Sequence, residues 1–107
     1  MTSKQAVEAL GALAQETRLA IFRLLVQAGP QGLPAGAIAE KLDVVNSSLS
    51  FHLRGMTHAG LLIQSRMGRQ LIYAADYDGM NGLIGFLTEN CCGRGTSCGP
   101  FCEEETQ

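Results

Sequence analysis

A chain of 107 residues with 46% hydrophobic content has room for one small core and not for two. Its net charge of −2 excludes a protein that coats nucleic acid through overall basicity, because affinity for phosphate backbones rests on clustered Lys and Arg. No window approaches the roughly 18 apolar residues of a membrane span, and "MTSKQAVEALGAL" lacks the basic stretch and unbroken apolar run of a secretory signal, so the expectation is a soluble, cytoplasmic protein with no membrane partner.

Residues 5 to 27, "QAVEALGALAQETRLAIFRLLVQ", carry apolar side chains at a period nearer 3.6 than 2, among them Leu10, Leu13, Leu19, Ile21, Phe22, Leu25 and Val26. The pattern predicts two helices meeting near Gln15 to Thr17. "AGPQGLP" then crowds Gly29, Pro30, Gly32 and Pro34 together, which predicts a helix stop, a loop and a restart. "AGAIAEKL" follows as a short helix with Ile38 and Leu42 on one face.

Asp43 and Val44 leave room only for a tight turn before "VNSSLSFHLRGMTHAG". Leu49, Leu53 and Met56 recur there at i, i+4 and i+7, one buried stripe of a helix that Gly60 can end in a left-handed conformation. Rotating about 100° per residue puts Ser47, Phe51, Arg54 and His58 on the opposite face, flanked by Ser48 and Ser50. His52 falls between the stripe and the polar face, where a structural hydrogen bond is its expected role. "LLIQSRMGRQLIYAAD" changes texture to two short runs of strand formers around Met67, Gly68 and Arg69, a hairpin with arginine at its tip.

"YDGMNGLIGFLTEN" returns to helical spacing with Met80, Leu83, Ile84 and Leu87, and Asp76 or Asp78 is the expected cap. Gly79, Gly82 and Gly85 each weaken this helix by about 1 kcal/mol relative to Ala, so a partner surface is expected to hold it. From Gly93 onward the composition is that of a flexible tail. Residues 1–90 thus read as one folded domain and residues 91–107 as an appendage.

Helix, tight turn, second helix and hairpin with a basic tip is the order of a winged helix-turn-helix: mainly α (α+β), with a two-stranded β-hairpin wing. In that architecture the second helix enters the major groove of double-stranded DNA and its first residues meet base edges. Asn46, Ser47 and Ser50, with Ser48 beside them, can exchange hydrogen bonds there, and Phe51 can pack on a thymine methyl. Arg54 and His58 are placed for phosphates, while Arg66 and Arg69 on the wing reach backbone or minor groove. Charge distribution agrees: from Val44 to Ala75 there is no Asp or Glu, and Arg54, Arg66 and Arg69 all lie in that window.

"LAQETRLAIFRLL", "SSLSFHLRGMTHAGLL" and "SRMGRQLIYA" resemble, in this order, the ArsR/SmtB family of metalloregulatory repressors, over residues 6 to 90. The resemblance implies a winged-helix homodimer, joined through its first and last helices, that represses an operon until a metal or metalloid binds. Two departures stand out. Arsenic-sensing relatives often hold cysteines in the helix before the recognition helix, where "GAIAEKLD" has none, and zinc sensors use Asp and His on the last helix, where this chain has no His.

All four cysteines, Cys91, Cys92, Cys98 and Cys102, instead fall in "ENCCGRGTSCGPFC". The adjacent pair cannot bond each other without strain, since neighbouring Cα atoms lie about 3.8 Å apart and an unstrained disulfide needs roughly 4.4–6.8 Å. "LTENCCGRG" resembles a branch of the family that senses trivalent arsenic at the end of the last helix. Three thiolates from Cys91, Cys92 and Cys98 would make a soft trigonal site suited to As(III), with Sb(III) as the alternative inducer and Cys102 as a spare fourth ligand. A site using all four thiolates for zinc, cadmium or another thiophilic ion competes with this reading. So does a cysteine-rich interaction tail on an ordinary DNA-binding domain. "CGPFC" is one residue longer than the thioredoxin CGPC, and a thiol redox enzyme is the remote alternative. There is no Gly-rich phosphate loop or serine elbow, so no enzyme and no resident cofactor are expected.

Overall fold

A computed structural model describes residues 1–89. Its elements run α1 (Ser3–Leu13), α2 (Glu16–Ala28), β1 (Leu33–Pro34), α3 (Ala35–Leu42), α4 (Asn46–His58), β2 (Leu62–Met67), β3 (Gln70–Ala75) and α5 (Tyr77–Leu87). This is the winged helix-turn-helix order, with α4 as its second helix and β2–β3 as the wing.

Each boundary has a local cause. Thr2 and Gln5 cap α1 reciprocally, the Thr2 hydroxyl accepting from the Gln5 N–H while the Gln5 side chain accepts from the Thr2 N–H. Gln15 caps α2 by accepting from the Arg18 N–H, and α3 ends where Asp43 turns left-handed at φ 55°. At the end of α4, Gly60 takes φ 85° and donates to Thr57 O, while Leu61 donates to Met56 O. That is a Schellman motif, and the two residues whose apolar side chains accompany it, Leu61 and Met56, are both fully buried in the core.

The wing is antiparallel, with Gln64 opposite Tyr73 and Arg66 opposite Leu71, and a two-residue connection of Gly68 (φ 63°) and Arg69. The hairpin is not isolated. Leu33 and Pro34, expected in a loop, pair with Tyr73 and Ile72, making a three-stranded sheet ordered β1-β3-β2. Two residues are too few for a period-2 pattern to register, and Pro34 can sit there because β1 is an edge strand.

The core gathers Ile21, Phe22 and Leu25 of α2, Ile38 of α3, Leu49, Leu53 and Met56 of α4, and Leu61, Leu62 and Tyr73 around the sheet. α1 contributes its small residues, Ala6, Ala9 and Ala12, while Val7 and Leu10 point outward at 68% and 43% exposure. On α5 the apolar residues divide in the same way: Leu83 is in the core and Leu87 is exposed. The Asp76 side chain caps α5 by accepting from the Gly79 N–H, and the Tyr77 hydroxyl donates to Val26 O, tying the start of α5 to the end of α2.

Gly79 is a glycine for a packing reason: a Cβ there would overlap Gly60 O. Gly36, exposed in α3, would place a Cβ in open space. Gly36→Ala should therefore raise stability by about 0.5–1 kcal/mol. Gly79→Ala should lower it by about 1–3 kcal/mol, as over-packing does. Urea midpoints of the two variants at one protein concentration check both signs.

Candidate nucleic-acid interface

Burying Leu49, Leu53 and Met56 against α1, α2 and α3 fixes the roll of α4. The opposite face is left to solvent: Ser47, Phe51, Arg54 and His58 are exposed on it, Ser48 and Ser50 are exposed at its flanks, and Asn46 is exposed at the start of the helix. Phe51 is 63% exposed, unusual for an aromatic with a core within reach. Val45 precedes the helix and offers no side-chain cap, and the first turn holds no acidic residue. The positive end of the α4 dipole is thus neither capped nor neutralised.

Arg66 and Arg69 are exposed on the wing. The strand register puts Arg66 on the sheet face shared by Gln64, Leu71 and Tyr73. Gln64, Leu71 and Tyr73 form one wall of a groove of about 430 Å³, whose other wall is Ser50, Arg54, Thr57 and His58 of α4. The recognition face and the wing therefore bound one concave surface. Of the residues proposed from sequence, Ser50, Arg54 and His58 line it directly, Arg66 stands on its wing face, and Asn46, Ser47, Ser48 and Phe51 continue along α4. His58 also borders a hollow shared with Gln5 and Glu8 of α1 and with Asp76, so it marks the edge of the polar face.

Sequence reasoning passed over Gln64, Leu71 and Tyr73. The Gln64 amide donates to the Tyr73 hydroxyl at 2.7 Å across the strands, a link that period-2 alternation from Leu62 could have found. It also passed over Arg18 of α2. The Arg18 Nε–H donates to His52 Nδ1 at 3.1 Å, and its guanidinium carbon stands 5.6 Å from the centre of the Phe51 ring. The partners are 34 residues apart, so no local pattern could show them.

This bond gives His52 the structural role expected of it and fixes its tautomer. Nδ1 accepts, so the proton of the neutral ring is on Nε2. Burial, and then the charge of Arg18, hold the His52 pKa below its ordinary 6.5. With the folded value depressed, the folded state binds fewer protons than the unfolded state near and below pH 6.5. The stabilisation is present above that pH and is lost as pH falls through the folded pKa. Denaturation midpoints should fall on acidification from about pH 7 to about pH 5, and His52→Asn, which keeps an acceptor and does not titrate, should remove part of that slope.

Cys91, Cys92, Cys98 and Cys102 lie outside the described residues. Among the described residues no group of three or more His, Cys, Asp or Glu side chains is arranged to hold a metal ion, and no helix is long and apolar enough to cross a membrane.

Residues 13–64 match a helix-turn-helix domain family, a span that runs from the end of α1 to the first strand of the wing. An uncharacterized HTH-type transcriptional regulator of Bacillus subtilis, YceK, is 36% identical over 66 residues, which are 57% of this chain and 65% of that protein. Among solved structures, an ArsR-like transcriptional regulator from Rhodococcus superposes with a TM-score of 0.70 at 26% identity, over 78% of this chain and 76% of the other. The transcriptional regulator HlyU from Vibrio vulnificus matches at 30% identity with a TM-score of 0.63, over 84% and 91% of the two chains. A protein described as a possible transcriptional regulator for arsenical resistance matches at 29% identity with a TM-score of 0.66, over 75% and 80%. Carrying their helix-turn-helix and wing in the same order, the chain belongs to the ArsR family of winged helix-turn-helix transcriptional regulators.

Proposed function

We propose that this regulator is a DNA-binding repressor of an arsenical resistance operon, released from its operator when trivalent arsenic, or antimony, binds Cys91, Cys92 and Cys98. The observation that carries the DNA half is the concave surface between α4 and the wing. It is exposed and lies wholly within the acid-free window from Val44 to Ala75. Asn46, Ser47, Ser48, Ser50 and Phe51 meet base edges in the major groove, Arg54 and His58 meet phosphates, and Arg66 and Arg69 follow the backbone or the minor groove.

Val7 and Leu10 on α1 and Leu87 on α5 support a homodimer through the first and last helices, because these two helices pack together and leave their larger apolar side chains uncovered. A twofold dimer would present two recognition helices about one DNA turn apart. The metalloid half rests on the soft donor set that begins four residues after the end of α5, and on the likeness to a regulator described as one for arsenical resistance. A four-thiolate site for zinc or cadmium is the second reading, favoured by the count of four cysteines.

Two variant series separate these readings, using a duplex that the parent protein enriches from a random-sequence pool. Ser47→Ala and Phe51→Ala should each cost about 1–3 kcal/mol of preference for that duplex, while Arg69→Ala should weaken all sequences alike and flatten the salt dependence. Parent-like binding by all three variants sinks the DNA reading. Cys91→Ser, Cys92→Ser and Cys98→Ser should bind DNA normally and fail to release it with arsenite, while Cys102→Ser should keep most of its response. Loss of response in all four, with zinc or cadmium as effector, selects the four-thiolate site instead. Sedimentation should give twice the 11.4 kDa chain mass, and a monomer that binds the duplex fully contradicts the assembly.

A further inference from the structure

We propose that Arg18, on α2 and outside the DNA-reading helix, is the positioning residue for Phe51, and that neutral His52 is the acceptor that holds Arg18 in place. The inference rests on the reading of α4 as the recognition helix and deepens it, by making base reading at Phe51 depend on a side chain that need never touch DNA.

Three positions of α4 converge on this guanidinium. His52 Nδ1 accepts from its Nε–H at 3.1 Å, and Phe51 faces its carbon at 5.6 Å. At Gly55 the fit is tightest: a Cβ there would lie 2.9 Å from one terminal nitrogen and 3.2 Å from both the other nitrogen and the central carbon. These distances leave no room for a side chain at position 55 beside the guanidinium, and an alanine would push it away. Phe51 and Gly55 are i and i+4, on one side of the helix, and the Phe51 and His52 rings meet edge-on with centroids 5.9 Å apart. A half-buried arginine is thus clamped between a glycine floor, an imidazole acceptor and an aromatic wall.

The clamp has a physical purpose at Phe51. An exposed phenylalanine on a helix hops between rotamers, and the cation–π contact selects the one that leans toward Arg18. A ring held in one orientation meets a thymine methyl without first losing that freedom. Lysine cannot replace the arginine. Its single ammonium cannot keep one N–H on His52 while other nitrogens fill the space beside Gly55.

His52 makes the clamp conditional on its protonation state. A protonated ring donates from both nitrogens, so acid removes the acceptor and sets two cations face to face. Arg18 is the charged group that faces His52, and Glu8 of α1 and His58 of α4 line the adjoining hollow with Arg18 and Gly55. On the elements packed against α4, Lys4, Glu16, Arg23, Glu40, Lys41 and Arg66 are exposed to solvent, as is Arg54 on α4 itself.

The test uses the full chain, the duplex enriched by the parent and a scrambled duplex of equal composition. Arg18→Lys keeps the charge and should bind the scrambled duplex like the parent, while its affinity for the enriched duplex drops about fivefold. Arg18→Ala should show the same loss of preference, plus a sequence-independent loss from the missing charge. In a Phe51→Ala background Arg18→Lys should have little further effect, because the residue it positions is gone. The parent's preference for the enriched duplex should hold above pH 6.5 and decline as pH falls below it, through the lowered His52 pKa, and His52→Asn should flatten that profile while keeping the preference. If Ser47→Ala and Arg69→Ala weaken binding as expected but Arg18→Lys keeps the full preference, or its effect adds independently to that of Phe51→Ala, the positioning role is overturned and the DNA reading stands. If no variant affects DNA binding, both fall together.

Discussion

The end of α4 is the joint on which the rest of this molecule turns. Gly60 takes a left-handed conformation so that Leu61 can return its N–H to Met56 O, and this closes the helix. Leu61 O then accepts from the Asp76 N–H, and Gly60 O lies so close to Gly79 that no side chain fits between them. One turn of backbone therefore fastens the end of the recognition helix to the first turn of α5. The wing springs from the same point, because Leu62 begins β2 directly after Leu61. Helix, wing and last helix share one anchored corner, and none of them can tilt there without disturbing the others.

That corner gives α5 its meaning. A helix with glycine at positions 79, 82 and 85 is weak alone, and its first turn is nonetheless fixed three times over, by the Asp76 cap, by the Tyr77 hydroxyl on Val26 O, and by the packing of Gly79 on Gly60. The other end carries exposed Leu87 and leads into the cysteine segment. An element held firmly where it meets the end of α4 and weak along its length would suit the carrying of a bias from its far end to α4. A coupling of about 1–3 kcal/mol would change DNA affinity roughly 5- to 150-fold.

The sequence was most readable where one residue type at one spacing has one physical solution. Leu49, Leu53 and Met56 could only be a buried stripe, Gly60 was a recognisable helix end, and the cap of the last helix was narrowed to Asp76 or Asp78. Gly68 in a two-residue connection marked the hairpin. It was least readable where burial depends on what lies opposite. Leu10 fits the apolar period of the first helix and yet faces outward beside Val7, because the close approach of α1 to its neighbours admits only the methyl groups of Ala6, Ala9 and Ala12. β1 was invisible because its two residues are a strand only by virtue of Tyr73 and Ile72 across from them. Polar residues of the candidate interface were legible as a face, and the Arg18 clamp was not, since it joins two helices that pattern reading treats separately.

Composition of α4 shows that its outward face answers to something other than stability. Asn46, Ser47, Ser48, Ser50, Gly55 and Thr57 are poor helix formers, together costing about 3–4 kcal/mol relative to alanine, and Val45 supplies no side-chain cap to offset them. Burying Leu49, Leu53 and Met56 contributes about 5–9 kcal/mol, which exceeds that cost, so the core holds the helix against its own propensity. Alanine at the exposed serines would make a better helix. Serine and asparagine there keep hydrogen-bonding groups on an exposed surface, and Phe51 keeps an aromatic in water beside an arginine that steadies it. Net acidity does not oppose this surface along the groove, because no Asp or Glu lines it between α4 and the wing; Glu8 and Asp76 share a hollow with His58 at its edge, and charges beyond a Debye length of about 8 Å are largely screened.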